Sequence, residues 1–363
     1  MKVIFDSRYT RLGRHDGISR FGARLVEELA KLHPDVTMLI SDERQLEMLP
    51  DLPWVMGPPP TGAGEPWVAR HVNRFAPDIV FTPMQTMGPL GRRYALVTTV
   101  HDLIYYTHRT PPRDLPWPVR LIWRVYHLWY GFQRAVLNLA DAHLTDSATT
   151  RDLMIEHRMT RNPVTVVWLG TDVPPNVPDR AAPETRELVY MGSFMPYKNV
   201  DLLARAMQQL PGWTLDLMSR VSAEDRARIE ALAPEGSVRF FDGASDEDYQ
   251  AALLRATALV SASKDEGFGL PVVEAMAVGT PAVLSDIPIF REIGGEPAGF
   301  FDPNDVDSFV AAVRTLEDDT EWRRRSLAAR ERAALFTWEA AARKLLTVLE
   351  ETVARRRARS SRR

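Results

Sequence analysis

A strand, a glycine-rich turn, a helix and a second strand follow one another within residues 257–284, and this segment constrains the fold most. Residues 257–261 form a short apolar run that is typical of a buried strand. Pro271 suits the first position of the helix, and Gly279 suits its end. An apolar run that starts at Ala282 predicts the next strand. Such a unit predicts a parallel sheet in which the amino end of the helix offers backbone N–H groups to an anion.

The same alternation of apolar strands and helices extends over both halves of the 363 residues. Near-continuous apolar runs that are separated by helices predict parallel sheets covered on both faces. The length favours two domains, and the proline-rich stretch after residue 172 is the best boundary between them. We therefore predict an α/β protein with two Rossmann-like, doubly wound parallel-sheet domains that face a cleft.

The predicted parts are an N-terminal domain at 1–172, a linker at 173–186, a C-terminal domain at 187–336, a C-terminal helix at 337–354 that packs back toward the N-terminal domain, and a basic tail at 355–363. The predicted strands are 2–6, 36–41, 78–83, 95–102, 142–147, 164–170, 188–192, 214–219, 238–242, 258–263, 282–286 and 299–302. Ligands of such sheets bind at the carboxyl ends of the strands. Gly17, His101, Lys198 and Glu266 each follow a predicted strand, so we expect all four to face the cleft.

The composition excludes several kinds of site. The chain has no cysteine, which excludes disulfides, thiolate metal sites and cysteine nucleophiles. The formal net charge of −3 does not favour nucleic-acid binding. The sequence shows neither a signal peptide nor an apolar run that could span a bilayer, so we expect a cytoplasmic protein. Only five of the 45 basic residues are lysine, which makes Lys198 more conspicuous.

Two carboxylates, Glu266 and Glu274, lie eight positions apart on either side of the turn glycines. Glu266 precedes the glycines, and Glu274 lies close to the first turn of the predicted helix. A carboxylate accepts hydrogen bonds from the two hydroxyls of a ribose, as it does beside bound dinucleotides. The alternative is that Glu274 only stabilises the helix start through the helix dipole and that Glu266 is only solvated. The joint pattern is more specific than either residue.

Motifs in both halves accompany this pattern. They lie at 17–20, 100–103, 146–148, 169–172, 191–199 (Met-Gly-Ser-Phe-Met-Pro-Tyr-Lys-Asn) and 242–248. Together with the segment 266–274, they resemble the retaining family 4 glycosyltransferases, which have the two-domain GT-B fold. The resemblance covers nearly the whole chain and is densest over 190–303. Residues 101–106 and 195–199 are more similar to a mannosyltransferase-like group within that family.

The resemblance implies a role for each matching residue. Lys198 would contact the diphosphate of the donor, and Glu274 would hold the ribose hydroxyls. Glu266, with the backbone of the following glycine turn, would hold the transferred sugar. His101 would approach that sugar from the N-terminal domain. Gly17 would let the first loop come close to the diphosphate, because glycine has no side chain in the way.

One position departs from the family pattern. The family usually carries an arginine beside the glycine that ends the first strand of the C-terminal domain, and this chain has Ser193 there. We predict that Arg220, at the end of the next strand, supplies the missing cation, because adjacent strands lie only about 4.8 Å apart. The alternative is an ordinary surface arginine. The full set of predicted donor-binding residues is Gly17, Ser193, Lys198, Arg220, Gly267, Phe268, Gly269, Leu270 and Glu274.

The resemblance implies a retaining, metal-independent hexosyltransferase that uses a nucleoside diphosphate sugar and a hydroxyl of a polysaccharide or glycolipid. We expect mannose as the sugar and GDP-mannose as the donor, ahead of UDP-glucose or a deoxythymidine-linked rhamnose. No cofactor and no metal ion is expected, and Asp305 and Asp307 are expected to cap a helix. The alternatives are an isomerase similar to the nucleotide-sugar 2-epimerases and a catalytically silent binding subunit.

Two segments are candidates for membrane contact. The arginine-rich tail 355–363 is expected to be disordered and to attract anionic lipid headgroups, which would place the protein peripherally on the inner face of the membrane. Residues 117–130 combine aromatic side chains with arginines. Such a helix most often packs on the sheet, which is the interpretation we adopt, and the alternative is contact with a membrane or a lipid-linked acceptor. Acceptor contacts are expected from the loops 8–16 and 105–118.

Overall fold

The structure of the protein is a computed structural model that describes residues 1–111, 116–172, 180–183 and 185–361. Most of the predicted linker, at 173–179 and 184, lies outside the described residues, as do 112–115 and the last two arginines. The chain forms two domains, of which the first comprises Met1–Gly170 and Thr337–Arg363 and the second comprises Thr171–Phe336.

A parallel sheet of seven strands forms the centre of the first domain, in the order β3-β2-β1-β4-β5-β6-β7. The strands are β1 (Val3–Asp6), β2 (Val36–Ile40), β3 (Trp54–Met56), β4 (Ile79–Thr82), β5 (Ala95–Val100), β6 (Ala142–Thr145) and β7 (Val164–Val166). The helices between them are α1 (Gly17–Leu32), α2 (Val68–Val72), α3 (Ile104–Thr107), α4 (Trp117–Tyr126), α5 (Gly131–Leu137) and α6 (Ala148–Glu156). Every strand pair is parallel, as the near-continuous apolar runs predict.

The second domain repeats this plan with six parallel strands in the order β10-β9-β8-β11-β12-β13. Its strands are β8 (Glu187–Tyr190), β9 (Thr214–Leu217), β10 (Val238–Phe240), β11 (Ala258–Ser261), β12 (Ala282–Ser285) and β13 (Gly299–Phe301). Its helices are α7 (Val200–Ala206), α8 (Ala223–Glu230), α9 (Asp246–Arg255), α10 (Leu270–Ala277), α11 (Pro288–Gly294), α12 (Val306–Arg314) and α13 (Asp319–Ala333). The described residues also contain short 3₁₀ turns, at Glu43–Met48, Glu65–Trp67, Asn73–Phe75, Pro196–Lys198, Met207–Gln209 and Thr315–Glu317.

The strand order reverses once in each sheet, between β1 and β4 in the first domain and between β8 and β11 in the second. Doubly wound sheets bind their ligands at such reversals, beyond the carboxyl ends of the strands. The two Rossmann-like domains confirm the predicted fold class, which is GT-B. One short strand, β3, was missed by the sequence prediction, because its residues are exposed or half-buried and it has only three residues at the sheet edge.

Each domain has its own apolar core. In the second domain the core includes Trp322 of α13, which is fully buried and donates its indole N–H to the carbonyl oxygen of Thr257 at 2.8 Å. Phe301 of β13 and Phe309 of α12 pack edge to face, with their ring centroids 4.9 Å apart. Burial of an aromatic side chain of this size stabilises a domain by about 2–3 kcal/mol, so such pairs fix the helices against the sheet.

The last helix, α14 (Trp338–Ser360), belongs to the first domain and packs against α1. Trp338 lies beside Phe21 of α1, with ring centroids 6.4 Å apart. The prediction of a disordered tail from residue 355 is wrong for the described residues, because the helix continues to Ser360. Two of its arginines find acidic partners in the first domain, Arg356 with Asp141 at 3.4 Å and Arg357 with Asp78 at 2.7 Å.

Residues 117–130 were predicted to pack on the sheet, and they do so only in part: Tyr126 and Tyr130 contact the core cluster of the first domain that includes Val100. No residue of α4 is buried, and several of its apolar side chains are exposed. Among the described helices, none combines the length and the apolar character that crossing a bilayer requires.

Candidate active site

Two predicted site residues of the second domain meet where its strand order reverses. Lys198 lies in the turn after β8, and Glu266 lies in the loop after β11. The lysine Nζ is 2.5 Å from a carboxylate oxygen of Glu266, and the two side chains are only 12% and 17% exposed. The backbone N–H of Lys264 donates to the carbonyl oxygen of Tyr197 at 2.7 Å, which ties the two loops together. The site thus holds a cation and a carboxylate side by side at the edge predicted to bind the donor.

The glycine turn that follows Glu266 leads directly into α10. Gly269 has φ of +94° and precedes the first helical residue, Leu270, so the helix begins one residue earlier than Pro271 suggested. A side chain is strained at this φ, which explains the glycine. The amino end of α10 thus follows Glu266 in the chain by four residues; Pro271 has no N–H, and the N–H of Val272 donates to the carbonyl oxygen of Gly269 at 2.9 Å. Glu274, the fifth residue of α10, is half-buried.

The side chain of Phe268 is not available to a ligand. It is buried and packs edge to face on Phe336, with ring centroids 5.9 Å apart. The predicted donor-binding role of position 268 is therefore limited to its backbone, and the ring anchors the turn in the core.

The loops after β8 and β9 are joined by a hydrogen bond from the backbone N–H of Gly192 to the hydroxyl of Ser219, at 3.0 Å. Ser193 follows Gly192, and its carbonyl oxygen accepts from the hydroxyl of Tyr190 at 2.7 Å. Arg220 follows Ser219 directly. Its side chain is exposed and has no ion-pair partner among the described residues. The hydroxyl of Ser219 also donates to Sδ of Met191 at 3.1 Å, so Ser219 brings the loops of Ser193 and Arg220 together.

In the first domain a pocket of about 170 Å³ lies near the strand reversal between β1 and β4. Its lining includes the predicted residue His101 together with Ile18, Gln85, Asp102, Tyr105 and Gln133. Gly17, beside Ile18, is the first residue of α1, and the space where a side chain would project is open. The aspartate that precedes Gly17 caps the helix by accepting from the N–H of Ser19 at 2.9 Å.

His101 uses both ring nitrogens. Nδ1 lies 2.6 Å from the carboxylate of Asp146, and Nε2 lies 2.7 Å from the carbonyl oxygen of Pro83. Both partners accept, so both ring nitrogens donate and the ring is an imidazolium. Burial by itself lowers the pKa of His101, but the charge of Asp146 and its hydrogen bond more than offset this effect and raise the pKa to about 9.

Asp146 is a candidate site residue, through its contact with His101, that the sequence reasoning did not assign. The motif at 146–148 was identified, but only Ser147 was interpreted, as the cap of α6. That cap is present, because the hydroxyl of Ser147 accepts from the N–H of Thr150 at 3.1 Å. The position of Asp146 directly after β6, beside the strand that leads to His101, was the available signal.

In the predicted acceptor loop 8–16, Arg8 and Thr10 are buried, whereas residues 11–14 are exposed. The guanidinium of Arg8 is fully buried and donates to Asp6 and Glu65, each at 2.7 Å, and to the carbonyl oxygen of Pro58 at 3.1 Å. The Arg8 side chain therefore cannot contact an acceptor. In the other predicted acceptor loop, Tyr105 lines the pocket.

Asp305 caps α12 by accepting from the N–H of Asp307 at 2.9 Å, as predicted.

The fold and these loops define a two-domain enzyme of the GT-B type, and comparison with known proteins agrees. The family model described as Glycosyltransferase Family 4 matches residues 15–173, and the model described as Glycosyl transferases group 1 matches residues 177–333. The chain belongs to the family 4 glycosyltransferases. This result confirms the predicted family and the predicted glycosyltransferase class, and it favours neither the isomerase nor the silent subunit.

Several curated relatives are mannosyltransferases. The chain is 30% identical over 278 residues to the MMP alpha-(1->4)-mannosyltransferase of Mycolicibacterium hassiacum, which covers 72% of this chain and 66% of that protein. It is 29% identical over 272 residues to O-antigen chain mannosyltransferase B of Escherichia coli, which covers 67% of each. A GDP-mannose-dependent alpha-(1-6)-phosphatidylinositol dimannoside mannosyltransferase of Mycobacterium tuberculosis is 32% identical over 200 residues, or 52% of each chain. The chain thus matches about two thirds of the first two relatives and about half of the third.

Solved structures with the same fold cover nearly the whole chain. Sucrose-phosphate synthase from Thermosynechococcus elongatus has a TM-score of 0.73 at 21% identity, over 98% of this chain and all of that one. Anabaena HepE, solved in complex with UDP and glucose, has a TM-score of 0.71 at 18% identity, over 97% of this chain and all of that one.

Proposed function

We propose that the protein transfers mannose from GDP-mannose to a hydroxyl of a glycan or glycolipid acceptor, with retention of the anomeric configuration and without a bound metal. The Lys198–Glu266 ion pair carries this proposal, because it stands at the carboxyl ends of β8 and β11 beside the amino end of α10. The mannosyltransferase relatives support the sugar, and the GDP-mannose-dependent relative supports the nucleotide.

The chemistry requires charge stabilisation at both partners of the breaking bond. The bond between C1 of the sugar and the diphosphate breaks, and the sugar becomes oxocarbenium-like while the diphosphate gains negative charge. Lys198, the N–H groups at the start of α10 and Arg220 would stabilise the departing diphosphate. Glu266 would accept hydrogen bonds from the hydroxyls of the sugar, and Glu274 those from the ribose.

Retention would follow from attack on the same face of the sugar. The acceptor hydroxyl forms the new bond to C1, and its proton passes to an oxygen of the leaving diphosphate. His101 would contribute a fixed hydrogen-bonded imidazolium in the first domain, and Gly17 would leave space for the diphosphate. Ser193 and the backbone of 267–270 complete the proposed donor-binding residues.

Replacement of the lysine tests the proposal directly. Lys198→Ala should reduce turnover at least tenfold and up to about a thousandfold, because a preorganised positive charge at the leaving group is lost. Lys31→Ala is the matched control, since Lys31 forms an ion pair with Glu28 at 2.6 Å on the surface of the first domain. Near-normal turnover of Lys198→Ala would contradict the assignment.

Donor identity and reaction type are tested with the wild-type protein. In a thermal-shift titration, GDP-mannose should stabilise the protein more than UDP-glucose or a deoxythymidine-linked rhamnose at the same concentration. At a hundred times its own dissociation constant, GDP-mannose should add about 2.7 kcal/mol to the free energy of unfolding.

Incubation with donor alone should leave the sugar configuration unchanged, whereas an isomerase would convert it. Nuclear magnetic resonance of the product should show the donor's anomeric configuration, and a chelator should leave the rate unchanged.

The cytoplasmic location and the membrane contact of the basic tail remain predictions. The pairing of Arg356 and Arg357 with acidic side chains reduces the positive charge that the tail could offer to anionic lipids. Comparison of vesicle binding by the full chain and by a variant that lacks residues 358–363 measures what Arg359, Arg362 and Arg363 contribute.

A further inference from the structure

The chain from Trp117 to Phe132 exposes many apolar side chains. Trp117, Ile122 and Trp129 are 77%, 69% and 69% exposed. We use the name exposed apolar surface for the set Trp117, Leu121, Ile122, Val125, Trp129 and Phe132, all of which are exposed. A cluster of this kind is rare on a soluble domain unless the surface binds something.

The opposite side of this segment is anchored to the first domain. The ring centroid of Trp123 lies 5.0 Å from that of Tyr105 and 4.0 Å from that of His127. The ring centroids of His127 and Tyr106 are 5.1 Å apart. Tyr105, Tyr106 and His127 all line the pocket that contains His101. The helix therefore presents one face to the pocket and the other to solvent.

The charge of this segment has one sign. Residues 115–140 contain three arginines and no aspartate or glutamate. Arg120 and Arg124, both on α4, form no ion pair with any described residue. A helix that combines exposed Trp, Leu, Ile and Phe with unpaired arginines matches the boundary between headgroups and acyl chains of an anionic bilayer, where the apolar side chains enter the lipid and the arginines meet phosphate.

A second copy of this chain fits the surface less well. In a two-fold dimer the same surface meets itself, so the arginines of one copy would face those of the other with no carboxylate between them. Like charges that are brought together at an interface oppose association. The charge thus favours lipid over self-association.

We propose that the exposed apolar surface binds an anionic lipid bilayer. Docking through this surface would place the pocket of Tyr105 and His127 next to the headgroups. A glycolipid acceptor could then present its hydroxyl without leaving the membrane, and this part of the inference rests on the proposed transfer to a glycolipid. The docking itself does not depend on the transfer reaction.

Flotation of the full-length protein with vesicles tests the proposal. Wild-type protein should float with vesicles that contain about one third phosphatidylglycerol in phosphatidylcholine and should float poorly with phosphatidylcholine alone. The double substitution Ile122→Ser and Trp129→Ser should weaken binding at least about tenfold, because two apolar side chains no longer enter the lipid. Arg124→Glu should weaken binding to the anionic vesicles selectively.

The matched control is the double substitution Leu327→Ser and Leu335→Ser, which removes two exposed leucines of the second domain and should float like wild type. Circular dichroism and the thermal midpoint confirm that each variant is folded. Equal flotation of wild type and the Ile122/Trp129 variant, or no flotation of either, would overturn the proposal. The proposal is also overturned if light scattering shows that wild type is a dimer and the Ile122/Trp129 variant a monomer, and neither protein floats. Because flotation uses no donor, a failure of the transfer reaction leaves the result interpretable.

Discussion

At the scale of single residues, two histidines, one within β6 and one just past the end of the neighbouring strand β5, have different charge states. His143 of β6 is fully buried, and burial lowers its pKa to about 4, because the opposing effects of the Leu137 backbone and the charge of Asp141 are smaller. Its Nδ1 lies 2.8 Å from the hydroxyl of Thr98, a neutral partner. His101, past the end of β5, faces Asp146, and its pKa is raised to about 9. Direct contact with the carboxylate of Asp146 therefore explains why His101 is charged and His143 is neutral.

This contrast predicts the effect of Asp146→Asn. The imidazole of His101 should then titrate below its ordinary value of about 6.5, because burial remains and the negative charge is gone. Ring proton resonances followed against pH report the pKa directly, and the pKa of His143 should not change. Turnover of Asp146→Asn should be lost at neutral pH and partly recovered at lower pH, where the ring regains its proton.

Stability against pH gives an independent readout of the same pair. The pKa of His101 is higher in the folded than in the unfolded protein, so its stabilisation is complete below about pH 6.5 and is lost as the pH rises through about 9. Chemical denaturation should therefore show a fall in the free energy of unfolding between these pH values that is absent in Asp146→Asn. An unchanged titration of His101 in the variant would contradict the charge assignment.

Arg220 is the second prediction at this scale. Arg220→Ala should raise the dissociation constant of the donor by about tenfold to a hundredfold, because a charge-assisted contact to the diphosphate is worth roughly 1.5–3 kcal/mol. Arg205→Ala is the control, since Arg205 is an exposed arginine on α7 of the same domain. Isothermal titration calorimetry with donor and both variants makes the comparison. Equal affinities would mean that Arg220 is an ordinary surface arginine.

At the scale of elements, the sequence predicted the positions of twelve strands but placed the ends of eleven of them too late. The predicted strand 95–102 ends in the structure at Val100, and 164–170 ends at Val166. The apolar run continues past the end of the strand, because residues such as Leu169 stay buried after the chain leaves the sheet. Hydrophobic periodicity reports burial and not hydrogen bonding, so it cannot locate that boundary.

The sequence predicted which residues of the candidate donor site come together, but not the directions of all the side chains. Lys198 and Glu266 were identified because each follows a strand, and topology alone brings the ends of β8 and β11 together. Side-chain directions were not predictable, since nothing in the pattern shows that Phe268 turns into the core or that Arg8 is buried. The exposure of α4 was missed for the same reason: an apolar helix is expected to be covered.

The start of α10 gives the prediction at this scale. Gly269→Ala should destabilise the second domain by about 1–2 kcal/mol, because alanine is strained at φ of +94° and its Cβ would lie 3.2 Å from the ring of Phe290. It should also weaken donor binding about tenfold, because the N–H groups at the helix start shift.

Gly236→Ala is the matched control for this substitution. Gly236 has φ of +74° with no heavy atom within 4 Å of the added carbon, so it carries the backbone strain without the site. Calorimetric titration with donor should distinguish the two variants, while both lose stability in denaturant. Similar donor affinities for the two variants would refute a role for this turn in binding.

At the scale of the whole molecule, the second domain is inserted into the first. The chain leaves the first domain at Gly170 and returns at Thr337 to add α14. Trp338 is buried where this helix begins, against Phe21 and the backbone of Gly170. The first domain is therefore built from segments that are far apart in sequence.

Trp338→Ala should reduce the stability of the first domain by about 3–5 kcal/mol, because a large buried aromatic side chain is removed. Trp67→Ala, which truncates a half-exposed tryptophan of the same domain, should cost much less. Hydrogen exchange followed by mass spectrometry should show faster exchange in α1 and β1 of Trp338→Ala. Unchanged exchange in these segments would show that α14 contributes little to the first domain.

This discontinuity has a consequence for synthesis on the ribosome. The surface of α1 that α14 covers emerges from the ribosome before the second domain, and α14 emerges only after that domain. At about 5–20 residues per second the intervening residues take about ten seconds or more to appear. The second domain can fold within that time while the apolar side of α1 stays exposed, so the nascent chain is a suitable substrate for a chaperone until α14 has been synthesised.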